Sequence, residues 1–546
     1  MRGMLENHEL RHLMSGPLPG EIAIVLLVAL YAGVSGVLLV YTLNAWYMVV
    51  ACLIHRQGLQ RRNEESARRG VELLRSDADW PMVTTQIPLY NEINVAERVI
   101  EAAAAMDYPA GRHEIQVLDD STDGTRALVD AVAARLREKG VWIEIVRRTN
   151  RTGYKAGALA EGMRRSHGEY LAIFDADFVP TRNFLRLTVP HLVARPEAGW
   201  VQGRWGHLNE RESLLTRAQC VGLDGHFAVE QRVRSGREGL CMNFNGTAGI
   251  WRREAIVSSG GWKSDTLTED LDLSYRAQFA GWKGIYLPDV VVPGELPSDV
   301  AAFKSQQFRW AKGSTQTALK LIPGIVRSRL PLVTKVQCWF HLTAYAIHPL
   351  LLTVAALSLP MAWLLPVRGI SHGLTALWIA VPSLASFSFY FLGQRLLHKN
   401  WGRRMIRLPF FILAGIGLSL SNTVAVCEAL AGKKSPFVRT PKAGGQGAHK
   451  TRGLHRYKAR VTVPVLGELV CGLLCFLAFA LAWRHGCAMA VQFLLVTGAG
   501  FFFLVFSSFD LRKKPKAEPA SEPGLEPSLE SLSEPVLKPV PESVLD

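Results

Sequence analysis

The sequence predicts an α/β domain with a largely parallel sheet, covered by helices on both faces and inserted between transmembrane helices. Three observations predict it. Residues from about Pro81 to Tyr286 alternate short β-rich runs with amphipathic, Ala- and Arg-rich stretches, the pattern of strands joined by crossover helices. The segment from Ile22 to Ile54 carries no charged residue, so it is long enough to span a bilayer and well beyond the roughly 7–15 apolar residues of a signal-peptide core. Further apolar runs return after residue 336, leaving a polar middle between two oily ends.

A short external N-terminus (1–21) precedes the first span (22–54), whose second flank holds Arg56, Arg61, Arg62, Arg68 and Arg69. Basic residues stay inside, so the domain over 75–300 is expected in the cytoplasm. Its first four strands are read at 83–87 (VTTQI), 114–118 (EIQVL), 142–146 (WIEIV) and 170–174 (YLAIF). Residues 301–335 mix aromatic and aliphatic side chains with Lys and Arg, as an interfacial helix does. Two spans are expected in 336–396 and two more in 462–510.

The apolar stretch within 404–432 is long enough to cross, yet Arg395, Lys399, Arg403, Arg404 and Arg407 precede it, and Lys433, Lys434, Arg439, Lys442, Lys450 and Arg452 follow. Both ends belong inside, so it reads as an interfacial or re-entrant helix, giving five true spans and a cytoplasmic segment over 433–460. The tail over 511–546 is rich in Pro, Glu and Ser and is expected to be disordered.

The formal net charge of +15 lies largely beside apolar segments. Membrane lipid accounts for that placement, and nucleic acid is not expected as a partner. The eight cysteines show neither zinc spacing nor a disulfide framework.

Ligands of open α/β sheets bind beyond the carboxyl ends of the strands. The polar clusters fall there: IPLYNE (87–92, with Asn91 and Glu92) after the first strand, DDSTDGT (119–125) after the second and DAD (175–177) after the fourth. Asp175 and Asp177 end an apolar run, where their repulsion calls for a cation; Mg2+ or Mn2+, hard and oxygen-seeking, would also neutralise a diphosphate. Asp119 and Asp120 either serve a turn and a helix cap or receive hydrogen bonds from a nucleoside. Lys155, after a glycine and opening a helix, is either a solvated first-turn lysine or part of an anion site. Glu269, Asp270 and Asp272 stand at a helix start, where they serve the helix or where Asp270 acts as a general base. Gln306, Arg309 and Trp310 offer an amide, a phosphate clamp and a stacking surface, or an interfacial anchor.

In this order, Asp119 and Asp120, the DAD triplet, Thr268-Glu269-Asp270 and Gln306-x-x-Arg309-Trp310 closely resemble the processive family 2 glycosyltransferases, which include cellulose, hyaluronan and chitin synthases. QVLDDSTD, TGYKAGAL, FDADF, FNGTAGIWR and ELPSDVAAF are most similar to the cellulose synthase-like A and C groups, which make β-mannan, glucomannan or β-glucan backbones. FVRTPK (437–442) resembles the gating loop of cellulose synthases, with Arg439 in place of the valine of the bacterial pattern.

The resemblance implies a GT-A fold, Rossmann-like and nucleotide-sugar-binding, and an inverting, metal-dependent transfer from GDP-mannose or UDP-glucose to a growing polysaccharide. It implies Asp270 as the base with Glu269 beside it, and Asp175 and Asp177 as metal ligands. Asn91, Glu92, Asp119, Asp120, Lys155, Asp175, Arg309 and Lys442 would meet the donor. Asn245, Gly246, Thr247, Gln306 and Trp310 would meet the acceptor. The membrane would be the plasma membrane in a bacterium or the Golgi in a eukaryote. Two other readings are a non-processive enzyme that loads a lipid phosphate and a catalytically inactive scaffold subunit.

Overall fold

The computed structural model describes residues 19–364, 372–434, 465–484 and 488–510. Lys442, nearly all of the expected gating loop, the tail and most of the expected external N-terminus lie outside them.

Helix α1 (Pro19–Leu73) runs 55 residues, 19 beyond the expected span end at Ile54. The extension follows from composition: residues 55–73 hold no proline and are mostly Arg, Glu, Gln, Ala and Leu, all good helix formers. Its far end lies on α5 (Phe184–Ala194), where Ser66 Oγ is 2.6 Å from His191 Nδ1. A β-carbon on Gly70 would fall 2.0 Å from the Pro190 carbonyl oxygen, so only glycine permits that approach.

The catalytic-size domain is a seven-stranded sheet of order β3-β2-β1-β4-β6-β5-β7. Strands β1 (Val83–Leu89), β2 (His113–Asp119), β3 (Ile143–Val146) and β4 (Tyr170–Ile173) fall where the sequence places them. They alternate with α2 (Ala96–Ala104), α3 (Thr125–Glu138) and α4 (Tyr154–Arg165). Ile87 to Leu89 of IPLYNE belong to β1 itself. Pro88 is tolerated there because β4 pairs with β1 only from Val83 to Gln86, so its missing N–H faces no strand.

Strands β5 (Ala198–His207), β6 (Gly249–Arg252) and β7 (Lys283–Gly294) complete a mixed sheet rather than a largely parallel one. β6 runs antiparallel to both β4 and β5, and the other pairings are parallel. Two reversals cancel, so β5 points the same way as β1, β2 and β4. Consecutive side chains enter opposite cores: Tyr170 and Ala172 pack with α2, α3 and α5, while Leu171 and Ile173 pack with α4 and with Ala255 and Leu273 beyond it.

Helices α6 (Leu214–Gly225) and α7 (Arg232–Gly236), joined by a π-helical turn over His226–Gln231, link β5 to β6. Helices α8 (Arg253–Ser258) and α9 (Glu269–Phe279) link β6 to β7. Helix α10 (Val300–Arg327) begins where Asp299 accepts a hydrogen bond from Ala302 N at 2.7 Å. The apolar stretch from 338 divides into α11 (Leu332–Leu342), a 3-10 turn (Ala344–Ala346) and α12 (Ile347–Leu364).

Then come α13 (His372–Leu397), α14 (Trp401–Met405), α15 (Leu408–Gly417), α16 (Ser419–Leu430), α17 (Val465–Arg484) and α18 (Ala488–Asp510). Among the described residues four helices are long and apolar enough to cross a membrane: Ile22–Leu73, Ala344–Met361, Val465–Arg484 and Val491–Ser508. Trp401–Gly417 and Ser419–Leu430 meet that test only together and are bent by 44° at their junction, the shape of a broken span or a re-entrant pair.

Candidate active site

β1, β2, β4 and β5 end at one edge of the sheet, while antiparallel β6 begins there. A cleft opens at this edge. Its walls bring together Glu92, Asp120, Lys155, Asp175, Asp177, Asn245, Gly246, Glu269, Asp270, Gln306, Arg309 and Trp310, drawn from segments more than 200 residues apart.

The acidic centre is built on the end of β4. Asp175 donates its backbone N–H to Thr247 Oγ1 at 2.9 Å, so Thr247 serves the acidic loop from behind the wall. Lys155 Nζ lies 2.5 Å from Asp175 Oδ1 and 3.9 Å from Glu269 Oε1 and donates to the Gly246 carbonyl at 2.8 Å. Burial works to lower the Lys155 pKa, but Asp175 and Glu269 outweigh it and hold it above the ordinary lysine value. Burial raises the Asp175 carboxyl, Asp177 raises it further and Lys155 opposes both.

Asp270 stands in the first turn of α9, where its Oδ1 accepts from Leu271 N at 2.9 Å. Burial, with the neighbouring Glu269 adding to it, pushes its carboxyl up to about 7. That is the range in which a carboxylate can both hold and release a proton near neutrality. Burial likewise raises Glu269. Arg309 is half-buried, and its desolvation lowers its pKa against the pull of Asp175 and Glu269. Asp272 plays no part in the cleft: its carboxylate meets Arg276 Nε and Lys320 Nζ, each at 2.8 Å.

Helix α10 supports the acidic turn from beneath. Thr268 Oγ1 is 3.1 Å from Thr317 Oγ1, and Leu267 N donates to Gln316 Oε1 at 3.0 Å. The same helix carries Gln306, Arg309 and Trp310 into the cleft, one turn apart on one face.

Two expected donor contacts stand apart. Asp119 is buried behind the edge, ion-paired with Arg147 at 2.9 Å and accepting from Ser121 N at 3.0 Å. Asn91, with φ of 55°, accepts from Thr122 N at 2.8 Å and receives support from Ser121, tying the first loop to the second. Neither lines the cleft. Asp120 does, held by Arg148 through Nε at 3.0 Å.

The structure also adds residues that the sequence reading did not single out. Arg151 lies 3.3 Å above the Tyr90 ring, and both line the cleft. So do Trp205 and His207 at the end of β5, with Trp205 6.5 Å from the ring of Trp310. Only a buried run ending in Trp and His marks them, and that pattern names no chemistry.

Residues 81–313 match the family described as glycosyltransferase like family 2. Glucomannan 4-beta-mannosyltransferase 2 of Arabidopsis thaliana is 39% identical over 421 residues, covering 73% of this chain and 75% of that protein. Glucomannan 4-beta-mannosyltransferase 1 of Oryza sativa subsp. japonica is 46% identical over 266 residues, 48% of this chain and 50% of its own. Among solved structures, a mannosyltransferase from Pyrobaculum calidifontis in complex with GDP-Man and Mn2+ aligns with a TM-score of 0.47 at 22% identity, over 71% of this chain and all of that one. The chain is a glycosyltransferase and belongs to family 2, in the cellulose synthase-like A group with the glucomannan 4-beta-mannosyltransferases.

Proposed function

We propose that this enzyme polymerises a β-linked mannan or glucomannan processively from GDP-mannose on the cytoplasmic side of a membrane and passes the product into the membrane helices. The observation that carries the chemistry is the cleft geometry, which sets the Asp270 carboxyl together with two strand-end carboxylates, Lys155, Arg309 and an aromatic wall.

In this reading Asp270 takes the proton from an acceptor hydroxyl as that oxygen bonds to the anomeric carbon of the donor. The bond from that carbon to the diphosphate oxygen breaks, the nucleoside diphosphate leaves, and a single displacement inverts the configuration. Arg309 and Lys155 lie where they would hold the leaving diphosphate. Asp120, Tyr90 and Arg151 offer a nucleoside end, and Asn245, Gln306 and Trp310 offer an acceptor end. Asn245 is kept in place by His226, whose Nε2 is 3.0 Å from its Nδ2.

Asp175 and Asp177 fit a divalent cation. Their mutual repulsion is relieved by positive charge, and no cluster of three or more His, Cys, Asp or Glu among the described residues forms a closed metal cage. Mg2+ or Mn2+ held by two carboxylates and completed by substrate phosphates matches that donor set. When bound, the ion would supply charge neutralisation for the departing diphosphate.

Passage into the membrane is supported by a polar row that continues from α10. Tyr345 OH donates to Gln307 Oε1 at 3.3 Å, the Tyr345 and His348 rings stack at 5.9 Å, and His348 Nε2 is 2.9 Å from Asn422 Nδ2. Polar side chains among apolar helices are costly unless paired, and rows of them commonly line a substrate path.

Membranes containing the enzyme, given GDP-mannose or UDP-glucose separately with Mg2+ or Mn2+, test the reading. Polymer from GDP-mannose that an endo-β-mannanase degrades is the expected product. Polymer from UDP-glucose alone, or transfer of single sugars to lipid phosphate, would overturn it.

A further inference from the structure

Residue His207 ends β5 and lines the cleft, with its side chain 6% exposed. Its Nε2 is 3.2 Å from Asp224 Oδ1 on α6. Asp224 also receives Gln394 Nε2 at 2.9 Å, His398 Nε2 at 2.8 Å and Arg404 Nη2 at 3.2 Å. Burial works against the Asp224 charge, but the hydrogen bonds from His207 and His398 outweigh it and keep its carboxyl well below the usual range. An ionised Asp224 can only accept, so it takes a proton carried on His207 Nε2, and in the neutral ring that tautomer makes Nδ1 an acceptor.

That nitrogen has no hydrogen-bond partner among the described residues, and neither has Trp205 Nε1 two residues earlier. One orphaned acceptor and one orphaned donor, two residues apart on β5 and both enclosed, are a cost of folding that a ligand can recover. A sugar hydroxyl both donates and accepts, which matches the pair.

Their place in the sheet says which substrate. Asp120 follows β2, and four strand positions separate β2 from β5, about 19 Å at the usual ~4.8 Å spacing. The donor's nucleoside end and the β5 wall are therefore at opposite sides of the acidic centre. Trp205 and Trp310, 6.5 Å apart, add ring faces of the kind on which a pyranose rests.

We infer that His207 is an acceptor-positioning residue: Nδ1 receives a hydrogen bond from a hydroxyl of the glycan near its growing end, while Asp224 fixes the ring and its tautomer. The inference rests on the proposed polymerisation, and it ties the acceptor wall to α13 and α14 through Gln394, His398 and Arg404.

The test uses full-length enzyme with GDP-mannose and a soluble β-1,4-manno-oligosaccharide, together with its monodeoxy analogues. His207→Phe keeps an aromatic ring of similar shape and removes Nδ1, and His207→Gln restores a carbonyl acceptor. Binding of GDP monitors folding. Wild-type enzyme should lose roughly three- to tenfold in kcat/KM on one deoxy acceptor, as a neutral hydrogen bond contributes. His207→Phe should raise the KM for the full acceptor by a similar factor, with kcat little changed, and should no longer distinguish that analogue. His207→Gln should recover part of the loss.

An unchanged acceptor KM in His207→Phe, or a variant that still discriminates the deoxy series like wild type, overturns the inference. If His207→Phe does not fold, the deoxy profile of His207→Gln decides, since an unaltered profile is again contrary. If wild type extends no manno-oligosaccharide, the proposed function is what fails. The same comparison then runs with the oligosaccharide that the donor screen identifies.

Discussion

Gly246 stands so close to Asp270 that a β-carbon added to it would lie 2.8 Å from the carboxylate oxygen Oδ2. Its φ of 81° also belongs to the left-handed region, which costs other residues about 1–2 kcal/mol. Gly246→Ala is therefore expected to displace the Asp270 carboxylate or the loop that carries Asn245. We expect kcat to fall at least tenfold while the affinity for nucleoside diphosphate stays within about twofold, since misplacing a base by a fraction of an ångström is costly. Steady-state kinetics with calorimetric binding checks this, and a near-wild-type kcat would show that the contact is slack.

With Asp270 as the proposed base, its raised carboxyl predicts a pH limit on the reaction. A base works only when deprotonated, and burial beside Glu269 holds the proton on until about pH 7. Log kcat/KM should then rise with unit slope from pH 5.5 and level off above about 7. Asp270→Asn should abolish transfer with donor binding largely retained. A profile flat from pH 5.5 to 8, or polymer made by the Asn variant, would remove Asp270 from the role of base.

The cation site proposed at Asp175 and Asp177 predicts that activity depends on a divalent ion. Excess chelator should eliminate turnover, and Mg2+ or Mn2+ should restore it, whereas Asp177→Asn should require much higher metal concentrations. Full turnover after metal removal has been verified by elemental analysis is the contrary result.

The 44° bend within 404–432 fits either a broken span or a re-entrant pair. Basic residues on both flanks favour the re-entrant one, so residues 433–460 should face the cytoplasm. Cysteines placed singly at Ser435 and Gly445, with the native cysteines replaced, should resist a membrane-impermeant thiol reagent in intact cells and react after permeabilisation. Labelling from outside at both positions would make the bent pair a span and move the expected gating loop to the other side.

Much of the domain was legible in the sequence because β1 to β4 are buried runs of four to seven residues set between helical patterns. The rest was not, for reasons visible in the residues. β5 contains three glycines, two tryptophans and a histidine, which spoils any alternation, and β6 is four residues long, too short for a periodic signal. The mixed order follows from β6 alone.

In the site, residues whose chemistry is inherent were found from sequence: Asp175, Asp177, Glu269, Asp270, Lys155 and Arg309 meet in the cleft. Of the adjacent acids at the end of β2, Asp119 turns behind the edge to Arg147 and Asp120 lines the cleft, since neighbouring side chains there point to opposite faces. Trp205 and His207 gain meaning only from the Asp224 network, whose members range from residue 207 to residue 404.

Helix α1 gives the enzyme a rigid shaft. At 1.5 Å per residue its 55 residues extend about 83 Å, far more than the ~30 Å of a bilayer's hydrocarbon, and its inner end is pinned where Gly70 lies under Pro190. The apolar segment and the end packed on α5 are one uninterrupted helix, so the orientation of the first carries to the second without a hinge.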